Sequence, residues 1–206
     1  AGLSPGQACE RIWAVDRAGL LVQGMAGLNP GAAALARDPQ ELGDFGRNRE
    51  GQIDLAAVVA QVHPTVLIGT STVAGAFSRE LVEEMARHCV HPVILPLSNP
   101  TSLAEAVPAD LLAWTGGRAL VATGSPFAPV ELPGGRRVIG QCNNCFLFPG
   151  LGFATVALGL RAISDGMIDA GLQALAEWIP ASRNPMAPLM PALGDGAAVA
   201  AAVAQA

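Results

Sequence analysis

Short segments spread along this sequence combine small residues with side chains that both donate and accept hydrogen bonds. They are Asp16-Arg17, Gly69-Thr70-Ser71, Ser98-Asn99-Pro100, Thr123-Gly124-Ser125-Pro126 and Asn143-Asn144. An amide offers donor and acceptor at once, so Asn99, Asn143 and Asn144 suit a substrate carboxylate, carbonyl or carboxamide. Gly69 and Gly124 would let the backbone approach a flat ligand closely. Asp16 offers only acceptors, which fits the paired hydroxyls of an adenosine ribose and disfavours a phosphate on them. Arg17 could instead pair with such a phosphate. A plain turn role is the alternative for Asp16, Asn99 and Asn143.

Other chemistry-bearing residues carry less. Cys142 and Cys145 have CxxC spacing, but Cys9 and Cys89 are far away in sequence, so zinc and redox roles are not expected. His63, His88 and His91 lie at helix ends and beside prolines and read as surface or packing residues. Asp165, Asp169 and Glu177 read as solvated charges on late helices.

The pattern of apolar residues then says what holds these segments. Arg11–Asp16, Thr65–Gly69, Pro92–Leu97 and Ala119–Ala122 read as buried strands, with Glu131–Ile139 as a hairpin around Pro133-Gly134-Gly135. Helices are expected over Asp54–Val62, Ser78–Arg87, Leu103–Trp114, Pro149–Ile163, Met167–Trp178 and the last ten residues. Pro149 suits the first turn of its helix, where free N–H groups and the positive dipole end could face an anion. The alternation predicts an α/β fold: a doubly wound, mostly parallel Rossmann-type sheet with helices on both faces. Ligands of such sheets bind beyond the carboxyl ends of the strands, where Asp16, Gly69-Thr70-Ser71, Asn99 and Gly124 fall.

Composition agrees with that class. Of the 206 residues 51% are hydrophobic and 14% charged, enough for one large domain with a buried core. A formal net charge of −5 with scattered basic residues argues against nucleic acid and anionic membrane as partners. The uncharged stretch from Cys145 to Leu160 is broken by Phe148-Pro149-Gly150 and falls short of the roughly 20 residues needed to span a bilayer. Four cysteines make no disulfide framework, so cytoplasmic thiols are expected. There is no tyrosine, and all 12 basic Lys+Arg residues are arginine. The chain opens on Ala1 rather than methionine, and the expectation is a fragment whose first βα unit lies upstream.

Several motifs together resemble the malic enzymes. They are Ile12-Trp13-Ala14-Val15-Asp16-Arg17, Thr65 to Ser71 followed by Gly75-Ala76-Phe77, and Pro96 to Ser102. Ala122 to Val130 and Gly140 to Asn144 running into Phe148-Pro149-Gly150 continue the match in the same order, over about residues 2–178. Cys142 and Leu95-Pro96-Leu97 look most like the bacterial NAD-linked branch. The resemblance implies oxidative decarboxylation of (S)-malate to pyruvate and CO₂, with NAD as hydride acceptor and Mg²⁺ or Mn²⁺ in the full-length enzyme.

Carried over position by position, Asp16 resembles the ribose-binding acid, with Gly69, Thr70, Ser71, Asn99 and Gly124 along the cofactor. Asn99, Asn143 and Asn144 resemble the residues facing malate. The family's Gly-rich phosphate turn, metal-binding acids and Tyr/Lys acid–base pair precede the matched stretch, so no catalytic or metal residue is expected here. NADP-linked members carry a lysine where this chain has Ala32, Ala33 and Ala34, which together with Asp16 favours NAD. Residues 1–180 are expected to form the NAD-binding domain and residues 181–206 a Pro-rich loop and helix, in a protein that assembles with copies of itself. A malolactic enzyme that retains its NAD, or a non-catalytic nucleotide-binding module, would share these motifs.

Overall fold

Short aliphatic runs closed by Pro, Gly or Ser become the strands, and capped periodic runs become the helices. The computed structural model describes residues 3–184 and 187–206. It opens with α1 (Pro5–Cys9), a hairpin of β1 (Val15–Asp16) and β2 (Gly19–Leu20), and α2 (Pro30–Leu35). Then come α3 (Leu55–Val62), β3 (Val66–Gly69), α4 (Arg79–His88), β4 (Val93–Pro96), α5 (Pro108–Trp114) and β5 (Leu120–Thr123). A second hairpin, β6 (Val130–Leu132) and β7 (Gly135–Arg137), leads to β8 (Gly140–Gln141). Helices α6 (Phe148–Ala157), α7 (Asp165–Glu177) and α8 (Gly196–Gln205) follow.

Strands β3, β4, β5 and β8 lie side by side in that order, all parallel. Leu67 pairs with Ile94 and Ile94 with Val121, so one face presents a row of apolar side chains. Helices α3, α4 and α5 cover that face through Val59, Leu81, Val82, Met85, Leu111 and Leu112, all 6% exposed or less. Side-chain caps start two of them: Asp54 accepts from the Ala57 amide and Ser78 from the Leu81 amide.

The strand order steps in one direction, and right-handed crossovers then place every intervening helix on the same side. The reversal that defines double winding is not found among the described strands, and Val66 and Ile68 on the opposite face of β3 are 47% and 58% exposed. The fold is nonetheless a parallel α/β sheet of the Rossmann type.

Three local readings need correction. The run Arg11–Asp16 is not a strand of this sheet: only Val15 and Asp16 are extended, and they pair antiparallel with Gly19-Leu20. That hairpin is held by its own cluster, Leu20, Leu42, Phe45, Ile53 and Val58, with Trp13 stacked on Phe45 at 5.3 Å. The helix expected over Leu103–Trp114 is broken. A single tight turn spans Thr101–Leu103, and α5 begins only at Pro108. Proline removes a helical donor and drives the preceding residue, Val107, into extended backbone, so Ala104–Val107 cross the sheet edge instead. The helix starting near Pro149 ends at Ala157, not Ile163, and Gly159 supplies a left-handed turn at φ +63° just beyond.

A further cluster, Phe146, Leu151, Val199 and Val203, packs α6, α7 and α8 together. Gly150 of α6 lies so close to α8 that an added Cβ would stand 2.5 Å from the Ala200 carbonyl oxygen.

Candidate functional site

The carboxyl ends of β3, β4 and β5 converge on a network that the broken helix makes possible. Because Ala104–Val107 lie between the turn and α5 rather than in a helix, Glu105 turns inward and is completely buried. Its carboxylate accepts from the Ser71 amide at 2.7 Å, the Ser71 hydroxyl at 2.9 Å and the Ser98 hydroxyl at 2.5 Å. One acid thus ties the end of β3 to the end of β4. Burial pushes the Glu105 carboxyl up, but the donors of Ser98 and Ser71 outweigh it and hold the group below the usual carboxylate range.

The same packing explains two glycines. A Cβ on Gly69 would stand 2.5 Å from the Glu105 carboxyl carbon, and one on Gly124 would stand 2.0 Å from the Leu97 carbonyl oxygen. The space beside both Cα atoms is therefore filled by protein rather than left open to a ligand. Thr72, next to this network, adopts φ +58°, a strained conformation for a β-branched residue. Its amide donates to the Ser98 hydroxyl at 2.8 Å, which holds the loop in place.

Asn99 is exposed at the end of β4. Its side-chain carbonyl accepts from the Ser125 hydroxyl, and its amide nitrogen donates to the Leu97 carbonyl at 3.3 Å. These contacts orient the group and leave its second N–H for a ligand. The Asn99–Pro100 peptide is cis. Thr70 and Ser71 are also exposed beyond β3, so the sheet brings Thr70, Ser71, Asn99 and Gly124 to one edge.

The other expected residues stand differently. Asn143 caps the short turn Asn144–Phe146, its side chain accepting from the Cys145 amide at 2.9 Å. Asn144 beside it is exposed and its amide has no hydrogen bond among the described residues. Strand β8 delivers both to the sheet edge, pairing Thr123 with Gln141. No side chain caps the start of α6 around Pro149. Asp16 is exposed on its separate hairpin, where it accepts from the Arg17 amide at 2.7 Å. Cys142 and Cys145 are free thiols, and burial pushes the Cys142 thiol up, away from the reactive thiolate.

A hard divalent cation needs several oxygen ligands. Among the described residues, Glu105 is the only acid near the strand ends, and its oxygens are occupied by serine donors. Among the described residues, the carboxyl edge therefore offers no set of free oxygen ligands that fits Mg²⁺ or Mn²⁺.

Glu105 and Thr72 were not singled out from the sequence, and Ser98 and Ser125 stood out only as members of strand-end segments, with no role of their own. The one available signal was an acid inside the apolar stretch Ala104-Glu105-Ala106-Val107, which marks a buried carboxylate in need of partners.

A parallel sheet whose hydrogen-bonding residues collect at the carboxyl edge belongs to the class of Rossmann-type ligand-binding domains. The family described as "Malic enzyme, NAD binding domain" matches residues 1–206, and the chain belongs to it. It is 48% identical over 204 residues to NAD-dependent malic enzyme 3 of Bacillus subtilis (strain 168), covering 98% of this chain and 36% of that protein. It is 44% identical over 194 residues to the NAD-dependent malic enzyme of Acinetobacter baylyi, covering 94% of this chain and 34% of that protein. The corresponding enzyme of Shewanella sp. (strain MR-4) is 47% identical over 194 residues, with 94% and 34% covered. The chain spans about a third of the length of the curated relatives it matches.

Proposed function

We propose that this chain is the NAD-binding part of an enzyme that oxidises (S)-malate and releases pyruvate and CO₂. The observation that carries the reading is the match of the whole chain to the NAD-binding domain of malic enzymes, with relatives of that name at 44–48% identity. NAD, when bound, supplies the hydride acceptor. The chain's own contribution is to position it: Thr70, Ser71 and Asn99 line the cofactor's path, Gly69 and Gly124 let the strand ends pack closely beneath it, and Asp16 accepts from the adenosine ribose. The free N–H of Asn99 and the amide of Asn144 hold the substrate, with Asn143 setting the turn that presents its neighbour. The acid–base pair and the ligands of Mg²⁺ or Mn²⁺ come from other parts of the protein. Four free thiols suit a cytoplasmic enzyme, and the open face of β3 suits a larger assembly, including a homo-oligomer.

The test is NADH and pyruvate formation from malate and Mn²⁺ by the full-length protein. Lactate without released NADH would replace the reading with a malolactic one, and no turnover would leave a nucleotide-binding module. With Asp16 and the alanines at 32–34, kcat/KM for NAD should exceed that for NADP by about tenfold, or roughly 1.4 kcal/mol. Asp16→Ala should shrink the ratio. Asn144→Ala should lower kcat/KM for malate by a factor corresponding to about 0.5–1.5 kcal/mol while the melting temperature stays put.

A further inference from the structure

At the opposite edge of the sheet, three side chains unused by the dinucleotide site come together. His63 ends α3 and His88 ends α4, and Glu84 lies one turn before His88 on the same helix. The chain enters β3 three residues after His63 and β4 five residues after His88, so the cluster lies at the amino ends of the strands. The two imidazoles stack with centroids 3.6 Å apart and planes inclined by 17°. The His88 ring nitrogen Nε2 is 3.0 Å from Glu84 Oε1. One ligand atom from each of the three lies within 4.8 Å of the others.

The local backbone makes this more than an accident of two flexible side chains. His63 sits at φ +52°, ψ +57°, the left-handed position after a helix where glycine is least costly. The i, i+4 spacing of Glu84 and His88 puts both on one helix face, and Arg87 holds the other carboxylate oxygen of Glu84.

We propose that His63, Glu84 and His88 form a binding site for a borderline divalent cation such as Zn²⁺, clipping the end of α3 to the end of α4. Two imidazoles and a carboxylate suit such an ion better than Mg²⁺ or Mn²⁺. Donors about 2.0–2.1 Å from a tetrahedral ion stand roughly 3.3 Å apart, so side-chain movements of about 1.5 Å gather the three, with water as fourth ligand. The cation would replace the proton shared by His88 and Glu84. Its place at the amino edge separates it from any cation used in malate chemistry and assigns it a structural role.

The experiment is titration of the chain with Zn²⁺ against a chromophoric chelator, with melting temperature read in parallel. One Zn²⁺ per chain is expected at a Kd of about 10 µM or lower, together with a rise in melting temperature. His88→Ala and His63→Gly should each weaken binding at least about tenfold. His63→Gly also suits the left-handed backbone, so its zinc-free melting temperature should equal or exceed that of the wild type. Cys89→Ser and His91→Ala should bind as the wild type does. No saturable site below about 100 µM, or equal loss in Cys89→Ser and His63→Gly, would overturn the proposal.

Discussion

The carboxyl edge of the sheet and the outer surface of α6 and α7 are built on opposite principles. Just beneath the edge, four polar residues are buried and partnered: Glu105, Ser98, Thr123 and Ser125 are 5% exposed or less. Donors and acceptors there are matched residue to residue, and two glycines are present because nothing larger fits. On α6 and the segment after it, apolar groups face outward: Phe153 is 70% exposed, Val156 81% and Leu158 70%. The contrast teaches where each region finds its stability. Buried polar networks must be satisfied from within, because an unpaired group in a low dielectric is costly. Exposed aliphatic side chains contribute nothing until something covers them.

The largest effect that would test this contrast is Gly124→Ala. Its Cβ would meet the Leu97 backbone carbonyl at 2.0 Å, and backbone cannot rotate away. A loss of about 3 kcal/mol in a denaturant melt is expected, and a neutral result would show that the β4–β5 contact is loose.

Glu105→Gln should come next, at about 2 kcal/mol, because the charge that strengthens the three bonds to Glu105 Oε1 is lost and the new NH2 would face the Ser98 amide that donates to Oε2. The effect has a pH signature. The native carboxyl is held below its ordinary value, so its stabilisation is present above the unfolded value of about 4.3 and is lost as pH falls through the lowered native one. The stability gap between wild type and Glu105→Gln should therefore narrow on acidification below about pH 4.3 and stay constant near neutrality. A gap that widens in acid would reverse the assignment.

The smallest effect belongs to the other region. Val156→Ser should change the stability of the chain by less than about 0.5 kcal/mol, since the side chain has little burial to lose. A loss above about 2 kcal/mol would mean that a second copy covers this surface in solution, and the comparison would fail.

Much of the sheet was legible because its signals are local. Thr65–Gly69, Pro92–Leu97 and Ala119–Ala122 are dense in apolar residues between turn formers, and each overlaps an observed strand. Ser78 and Asp54 mark helix starts by type and position alone. The two-residue strand β8 was not legible, because a pair such as Gly140-Gln141 has no periodicity and becomes a strand only by lying beside β5. The candidate ligand residues Thr70, Ser71, Asn99 and Asn144 were found because they are polar and sit where strands end.

By itself, then, the sequence determined the α/β class, the strands that carry the edge and the family to which the chain belongs, since these rest on residue type and short-range order. Only the tertiary structure decided what the edge residues do for one another. Ala104–Val107 leave the helix because Pro108 forbids its continuation, and that displacement buries Glu105 between Ser71 and Ser98. Gly69 and Gly124 looked like openings for a ligand and are instead filled by Glu105 and Leu97. His63 and His88 stand 25 positions apart, and their stacking exists only because α3 and α4 end side by side. Each of these contacts joins residues distant in sequence, and no local pattern encodes a distance that the packing of the whole sheet must set.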